Sequence, residues 1–161
     1  MTLFPRGWVI AATFVVAFML TALPLPAWVN PWRPAWVALV LIYWCLALPE
    51  HVGLYVSFAV GLLLDAMLSA PLGQNALGLT VIGFIVVTTH QRMRLFPIGQ
   101  QALLVGLLVG LYLLLNYAVR QVLSLHRPPL LQLWLPAISS ALLWPWLFIL
   151  LRDLRRRAHL G

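Results

Sequence analysis

The sequence predicts an all-α, polytopic integral membrane protein with about six transmembrane helices. Of its 161 residues, 63% are hydrophobic and only 8% are charged, whereas soluble domains average roughly 45–50% apolar and 25% charged residues. Its apolar runs are separated by breaks that contain Pro, Gly, Arg or His. Its ten basic residues are all arginines that flank these runs. The net charge of +7 therefore indicates membrane topology and not nucleic-acid binding.

Six apolar segments divide the chain into a single transmembrane helical domain, residues 1–161, with short loops. They are Trp8–Leu23, Ala35–Leu48, Val52–Leu68, Ala76–Thr89, Gln101–Val122 and Leu131–Leu151. A bilayer core takes about 20 helical residues, so we expect the short second and fourth segments to be tilted or covered by neighbours. The sixth contains Pro136 and Pro145, which predict a bent helix.

Arginine placement predicts that both termini are cytoplasmic. With an even number of spans, seven arginines fall inside and three (Arg33, Arg120 and Arg127) fall outside, as the positive-inside rule favours. The inside group includes a basic C-terminal tail that begins at Arg152. We expect this tail to anchor the topology, and it can also attract anionic membrane lipid.

Small residues recur every fourth position along the third segment. The stripe comprises Gly53, Ser57, Gly61, Asp65 and Ser69. Such a stripe lets another helix approach closely, either from the same chain, which is the commoner case, or from a partner. Gly106 and Gly110 repeat the pattern in the fifth segment.

Asp65 is the one acidic residue within an apolar run. A charge at the bilayer centre costs about 2.5–3.5 kcal/mol on insertion scales. Because Asp65 lies near the outer end of its segment, Asn116, Arg120 or Arg33 can pair with it. We expect a structural ion pair or cap beside the turn at residues 69–75, in preference to a proton relay or substrate ligand.

The turn itself reads Pro71-Leu72-Gly73-Gln74-Asn75. Proline presets one backbone angle and glycine tolerates a positive φ, so the sequence predicts a sharp reversal at the outer surface. The amides of Gln74 and Asn75 can also hydrogen-bond to a ligand or to a partner's backbone.

Nothing in the sequence predicts an enzyme, a metal site or a cofactor. The four histidines have no spacing that places two on one helical face, and no Gly-rich phosphate loop or serine with acid and base partners is present. The polar side chains that could converge on a small solute inside the bundle are Asp65, Asn75, Tyr112 and Asn116. They define an alternative, a small-solute-binding subunit of a transporter.

The order of three motifs resembles a known family. Gly61-Leu62-Leu63-Leu64-Asp65 is followed by Pro71 to Leu77, and then by Arg92-Met93-Arg94-Leu95-Phe96-Pro97 and Gln100-Gln101. Together with the length and the basic C-terminus, they resemble the bacterial rod shape-determining protein MreD family. Relatives often carry His where this chain has Asn75.

This resemblance implies a non-enzymatic scaffold subunit of the cell-elongation complex in the bacterial inner membrane. It implies that the chain binds MreC directly and helps couple MreB filaments to peptidoglycan synthesis by RodA and its penicillin-binding partner. The small-residue faces and the outer turn, with Asn116 and Arg120, are the expected MreC site. Arg92, Arg94, Phe96 and Pro97 form the expected cytoplasmic loop. The family is also similar in architecture to the six-helix S components of energy-coupling-factor transporters.

Overall fold

Six helices account for nearly all of the part of the chain that the structure describes. The computed structural model of the protein describes residues 3–22, 35–47, 52–67, 73–123 and 130–157, and no strand occurs in these ranges. The helices are α1 (Leu3–Ala22), α2 (Trp36–Ala47), α3 (Leu54–Met67), α4 (Gln74–Leu95), α5 (Ile98–Val122) and α6 (Leu130–Arg157). Each predicted segment corresponds to one helix, so the all-α prediction is confirmed.

Three of the helices are long and apolar enough to cross a membrane. These spans are Gln74–Leu95, Ile98–Val122 and Trp134–Leu154, while the apolar stretches of α1, α2 and α3 are shorter. The protein is therefore a polytopic membrane protein in which long and short helices are combined. The short helices need a different means of matching the bilayer, and the packing shows how α2 does so.

The shortest helix, α2, lies at the centre of the bundle. All ten residues from Val37 to Leu46 are buried, because α1, α4, α5 and α6 pack around it. At 12 residues α2 is about 18 Å long, well below the roughly 30 Å of a bilayer core. The expectation that the second segment is covered by its neighbours is confirmed, and α2 is shielded from lipid by protein.

Two hydrogen bonds and a cluster of aromatic rings fix α2 in place. Trp44 Nε1 donates to Thr13 Oγ1 of α1 at 2.9 Å, and the Ala35 amide before α2 donates to Ser140 Oγ of α6 at 3.1 Å. The Tyr43 ring packs edge-on against Phe148 of α6 with centroids 5.6 Å apart. These contacts join α1, α2 and α6 through buried side chains.

Helix α4 is longer than the sequence predicted. Its apolar run ends at Thr89, but the helix continues to Leu95, because polar side chains such as Gln and Arg are good helix formers. The predicted loop at Arg92–Pro97 is therefore wrong for its first part: Arg92 and Arg94 lie in the last turn of α4. Only Phe96 and Pro97 connect α4 to α5. Phe96 is extended, with φ −74° and ψ 144°, as is favoured for a residue that precedes proline.

Arg94 ties the end of α4 to the end of α2. Its Nε donates to the Leu46 carbonyl at 2.8 Å and its Nη2 to the Ala47 carbonyl at 2.9 Å. These carbonyls belong to the last turn of α2 and have no partner within the helix. We call this end of the bundle, where α2 and α4 finish and α5 begins, the Arg94 end. The opposite end, where α3 finishes and α4 begins, is the Asp65 end.

Helices α5 and α6 run antiparallel through a contact that depends on small residues. A side chain at Gly106 would meet Ala141, and one at Gly110 would meet Trp134, which lies earlier in α6. The small-residue pattern of the fifth segment therefore lies at a contact within the chain. Helix α6 is continuous through Pro136 and Pro145, and the bend that these prolines predict stays a prediction.

Helix α3 packs principally against α4, and the two backbones approach very closely. A Cβ atom at Gly61 would overlap the Ala76 Cα and lie 2.7 Å from its amide nitrogen. On the other side of the contact, a Cβ at Gly83 would lie 3.2 Å from the Cβ of Ser57. Because backbone atoms cannot move aside as a flexible side chain can, this approach requires glycine at position 61.

We expect Gly61→Ala to destabilise the protein by about 1–3 kcal/mol, because the added methyl group overlaps the α4 backbone. Gly99→Ala is the matched control, since a Cβ there meets no atom within 4 Å. Equilibrium unfolding of both variants in mixed micelles measures the difference. Equal stability of Gly61→Ala and the unmodified chain would contradict the close approach of α3 and α4.

Candidate functional site

Asp65 lies in the last turn of α3 and is completely buried. Its carboxylate accepts hydrogen bonds from the start of the next helix. The Gly73 amide donates to Oδ2 at 2.8 Å and the Asn75 amide donates to Oδ1 at 2.7 Å. The Ala76 amide approaches Oδ2 at 3.4 Å. The Asn75 side-chain Nδ2 adds a fourth bond, to Oδ1 at 2.8 Å.

These bonds satisfy the first turn of α4, which needs an external cap. Helix α4 begins after Gly73, whose φ of 99° is left-handed and whose lack of a side chain leaves the helix without a local side-chain cap. The first amides of any helix have no partner within it. Asp65 supplies the missing acceptor from the preceding helix, and its negative charge also suits the positive end of the helix dipole.

The network continues from Asn75 into α5. Asn75 Oδ1 accepts a hydrogen bond from the Tyr112 hydroxyl and another, at 3.0 Å, from Asn116 Nδ2. The side-chain amide of Asn75 therefore donates to Asp65 of α3 and accepts from Tyr112 and Asn116 of α5. Asp65, Asn75 and Tyr112 are all buried, so the bonds form away from water, where an unmade bond costs most.

The structure brings the predicted polar residues together, and they hydrogen-bond to one another. The expected cap at Asp65 is confirmed, and Asn116 reaches it through Asn75 and not directly. Gln74 and Asn75 lie in the first turn of α4 and are buried, so they belong to the helix and not to the predicted turn. Pro71, Ser69 and Arg33 lie outside the described residues, and Arg120 lies in the last turn of α5.

The four side chains considered for a solute pocket, Asp65, Asn75, Tyr112 and Asn116, hydrogen-bond to each other in this network. A solute would have to displace these bonds in order to bind. The geometry therefore favours a structural role, the joining of α3, α4 and α5 at the Asp65 end. Among the described residues, Asn116 Oδ1 and Gln74 Oε1 are buried acceptors without a hydrogen-bond partner.

The small-residue stripe of α3 faces α4 within the chain. Ser57 is fully buried and donates to the Gly53 carbonyl at 2.9 Å, and Gly61 contacts the α4 backbone. The opposite face of α3 is apolar and exposed. It comprises Leu54, Tyr55, Phe58, Ala59, Leu63, Ala66 and Met67. Sequence reasoning missed this face because its residues have the same apolar character as the buried ones.

A second polar contact that the sequence did not predict joins three helices at the Arg94 end. Gln101 of α5 donates through Nε2 to the Met93 carbonyl at 2.9 Å, and its Oε1 accepts from Trp144 Nε1 at 3.0 Å. Gln101 and Trp144 are both buried. Beside this contact, the end of α4 and its connection to α5 are exposed, at Arg92, Arg94, Leu95, Phe96 and Pro97.

We expect Asp65→Asn to destabilise the protein by about 2 kcal/mol, because a hydrogen bond to a charged group contributes about 1.5–3 kcal/mol. The substitution removes the charge and turns one acceptor oxygen into a donor that faces backbone amides. Asp153→Asn makes the same chemical change at an exposed position of α6 and is the control. Equal thermal stabilities of the two purified variants would contradict a capping role for Asp65.

Comparisons with known proteins agree on one family. The family model described as rod shape-determining protein MreD matches residues 4–154. The chain is also 40% identical over 152 residues to the rod shape-determining protein MreD of Haemophilus influenzae, covering 94% of this chain and 93% of the relative. No solved structure matches. On the extent of these matches, the chain belongs to the MreD family of rod shape-determining proteins.

Proposed function

We propose that this protein is a non-enzymatic membrane scaffold of the rod-shape complex in the bacterial inner membrane. In this role it binds the bitopic protein MreC and helps to couple MreB filaments to peptidoglycan synthesis by RodA and its penicillin-binding partner. Family membership supports the role in cell shape. The observation that carries the binding proposal is the exposed, apolar outer face of a short peripheral helix, α3.

Helix α3 is too short to span a bilayer by itself. Its 14 residues extend about 21 Å, against roughly 30 Å of hydrocarbon. A short helix is accommodated by thinning of the bilayer or by association with other helices. Helix α2 is shorter still but is enclosed by the chain's own helices, whereas the described part of the chain covers α3 on one side only. A transmembrane helix from MreC would cover the other side.

The composition of the outer face of α3 suits a helix partner. Ala59 and Ala66 lie seven residues apart on this face and are exposed, so they leave room for close approach, as small residues do at membrane helix contacts. Tyr55, which is 93% exposed, and Leu63, which is 61% exposed, flank them. Aromatic and aliphatic side chains beside small ones give a surface into which a second helix can pack.

The distribution of arginines supports cytoplasmic placement of the Arg94 end. Arg92 and Arg94 finish α4, and the antiparallel packing of α5 and α6 brings the arginines of residues 152–157 to the same end. The positive-inside rule then favours a cytoplasmic location for both termini. The exposed turn with Arg92, Phe96 and Pro97 faces the filament side in this orientation.

We expect Ala59→Leu combined with Ala66→Leu to reduce the MreC that co-purifies from native membranes by about fivefold or more, since overpacking an interface costs about 1–3 kcal/mol. Leucine is compatible with lipid, so the free protein should keep its stability. Ala118→Leu, at an exposed position of α5, is the matched control.

Unchanged recovery of MreC with the double variant would contradict docking on α3. Recovery of an ATPase module or a small solute in place of MreC would instead favour the transporter alternative. A larger residue in the small-residue stripe of α3, such as Gly61→Leu, does not suit this test. A side chain at Gly61 overlaps α4 and disturbs the fold itself.

We expect a membrane-impermeant maleimide to label Leu123→Cys in intact spheroplasts, and to label Gln100→Cys only after the membrane is opened. Both positions are exposed, the first at the end of α5 on the Asp65 side and the second at the Arg94 end. The single native cysteine, Cys45, is buried and gives little background. The reverse labelling pattern would overturn the proposed orientation.

A further inference from the structure

An apolar cleft lies between α1 and the last part of α6. On α6 it is lined by Trp146, Leu147, Leu150, Leu151 and Leu154. Every one of these residues follows Pro145, the second proline inside the helix. Val16 on the α1 wall is 53% exposed and Leu150 on the α6 wall is 50% exposed, so the two walls leave each other uncovered. We call the part of α6 from Trp146 to Arg157 the inner arm.

The part of α6 before Pro145 is held firmly on α5. A Cβ at Gly106 would lie 2.8 Å from the Cβ of Ala141, so the two helices approach closely there. Trp144, the residue directly before Pro145, donates through Nε1 to Gln101 Oε1 at 3.0 Å. The inner arm rests on α2 through Phe148, whose ring packs edge-on against Tyr43. A ring contact allows sliding more readily than a buried hydrogen bond or a close backbone approach does.

Pro145 weakens α6 at this boundary and also sets the direction in which the helix bends. Because proline has no backbone N–H, the Ala141 carbonyl loses the hydrogen bond that it would accept in a regular helix. The proline ring and this carbonyl repel each other on one side of the helix, so the helix bends away from that side. At 3.6 residues per turn, the five lining residues are centred about 170° around the helix axis from Pro145. The favoured bend is therefore toward the cleft.

We propose that the inner arm of α6 is hinged at Pro145 and closes the cleft against α1. From Pro145 to Arg156 the arm is about 16 Å long at 1.5 Å per residue. A change in bend of about 20° therefore moves its end by roughly 6 Å. The arm carries Arg152 and Arg156, so closure shifts the basic end of α6 toward α1. This device is separate from the MreC docking face on α3.

The test is disulfide trapping of the full-length protein in native membranes, with Cys45→Ala as the common background. Val16→Cys combined with Leu150→Cys places one thiol on each wall of the cleft. A disulfide needs Cβ atoms about 3.5–4.5 Å apart, so it forms only when the walls meet. Val15→Cys combined with Leu150→Cys is the matched control, because Val15 is 55% exposed but does not line the cleft.

We expect the pair at Val16 and Leu150 to crosslink within one chain about fivefold faster, or more, than the pair at Val15 and Leu150. Adding Pro145→Ala restores the missing N–H and stiffens the helix, so it should slow this crosslink about fivefold. Pro136→Ala makes the same change in the part of α6 that is packed on α5, and it should leave the rate unchanged.

Three results would overturn the proposal. Equal crosslinking of the two cysteine pairs would exclude closure of the cleft. A crosslink that joins two chains and not two helices of one chain would make the cleft a contact between copies. Equal rates with Pro145→Ala and Pro136→Ala, at matched thermal stability, would exclude Pro145 as the hinge.

Discussion

The hydrogen bonds that Asp65 accepts from the first turn of α4 constrain the whole Asp65 end of the bundle. They fix the end of one helix to the start of the next, and through Asn75 they extend to Tyr112 and Asn116 of α5. A buried carboxylate is costly in a bilayer unless it is fully hydrogen-bonded. Here it accepts hydrogen bonds from backbone amides that would otherwise lack partners. The carboxylate and the amides therefore satisfy each other's hydrogen-bonding needs.

This constraint acts together with the glycine contact further along α3. Because Gly61 brings the α3 backbone against Ala76, the Asp65 carboxylate lies within reach of the amides at Gly73 and Asn75. A larger residue at position 61 would move α3 away from α4 and stretch these bonds. The close packing at Gly61 and the polar cap at Asp65 therefore depend on each other, and together they hold α3 against α4.

Helices α2 and α3 show two ways to accommodate a short helix in a membrane. Helix α2 is surrounded by four other helices of the chain, so its length need not match the lipid. Helix α3 packs principally against α4 and leaves a row of apolar side chains exposed. Among the described residues the fold is thus closed around α2 and open beside α3.

The sequence predicted the number and order of the helices because apolar runs and Pro or Gly breaks depend only on local composition. It also predicted a cap at Asp65, since a lone acid in an apolar run needs a partner. It did not predict that Arg92 and Arg94 belong to α4, because hydropathy marks the hydrocarbon boundary and not the helix end. The Gln101–Trp144 bond and the outer face of α3 were missed, since they depend on which faces meet in three dimensions.

The cap at Asp65 has a consequence for biosynthesis. During insertion of the nascent chain, α3 leaves the ribosome before the amides at Gly73, Asn75 and Ala76 that its carboxylate needs. On its own α3 would carry an unsatisfied charge into lipid on a helix of only 14 residues, and this makes stable partitioning unfavourable. We therefore expect α3 and α4 to enter the bilayer together as a hairpin, because only then is the carboxylate hydrogen-bonded.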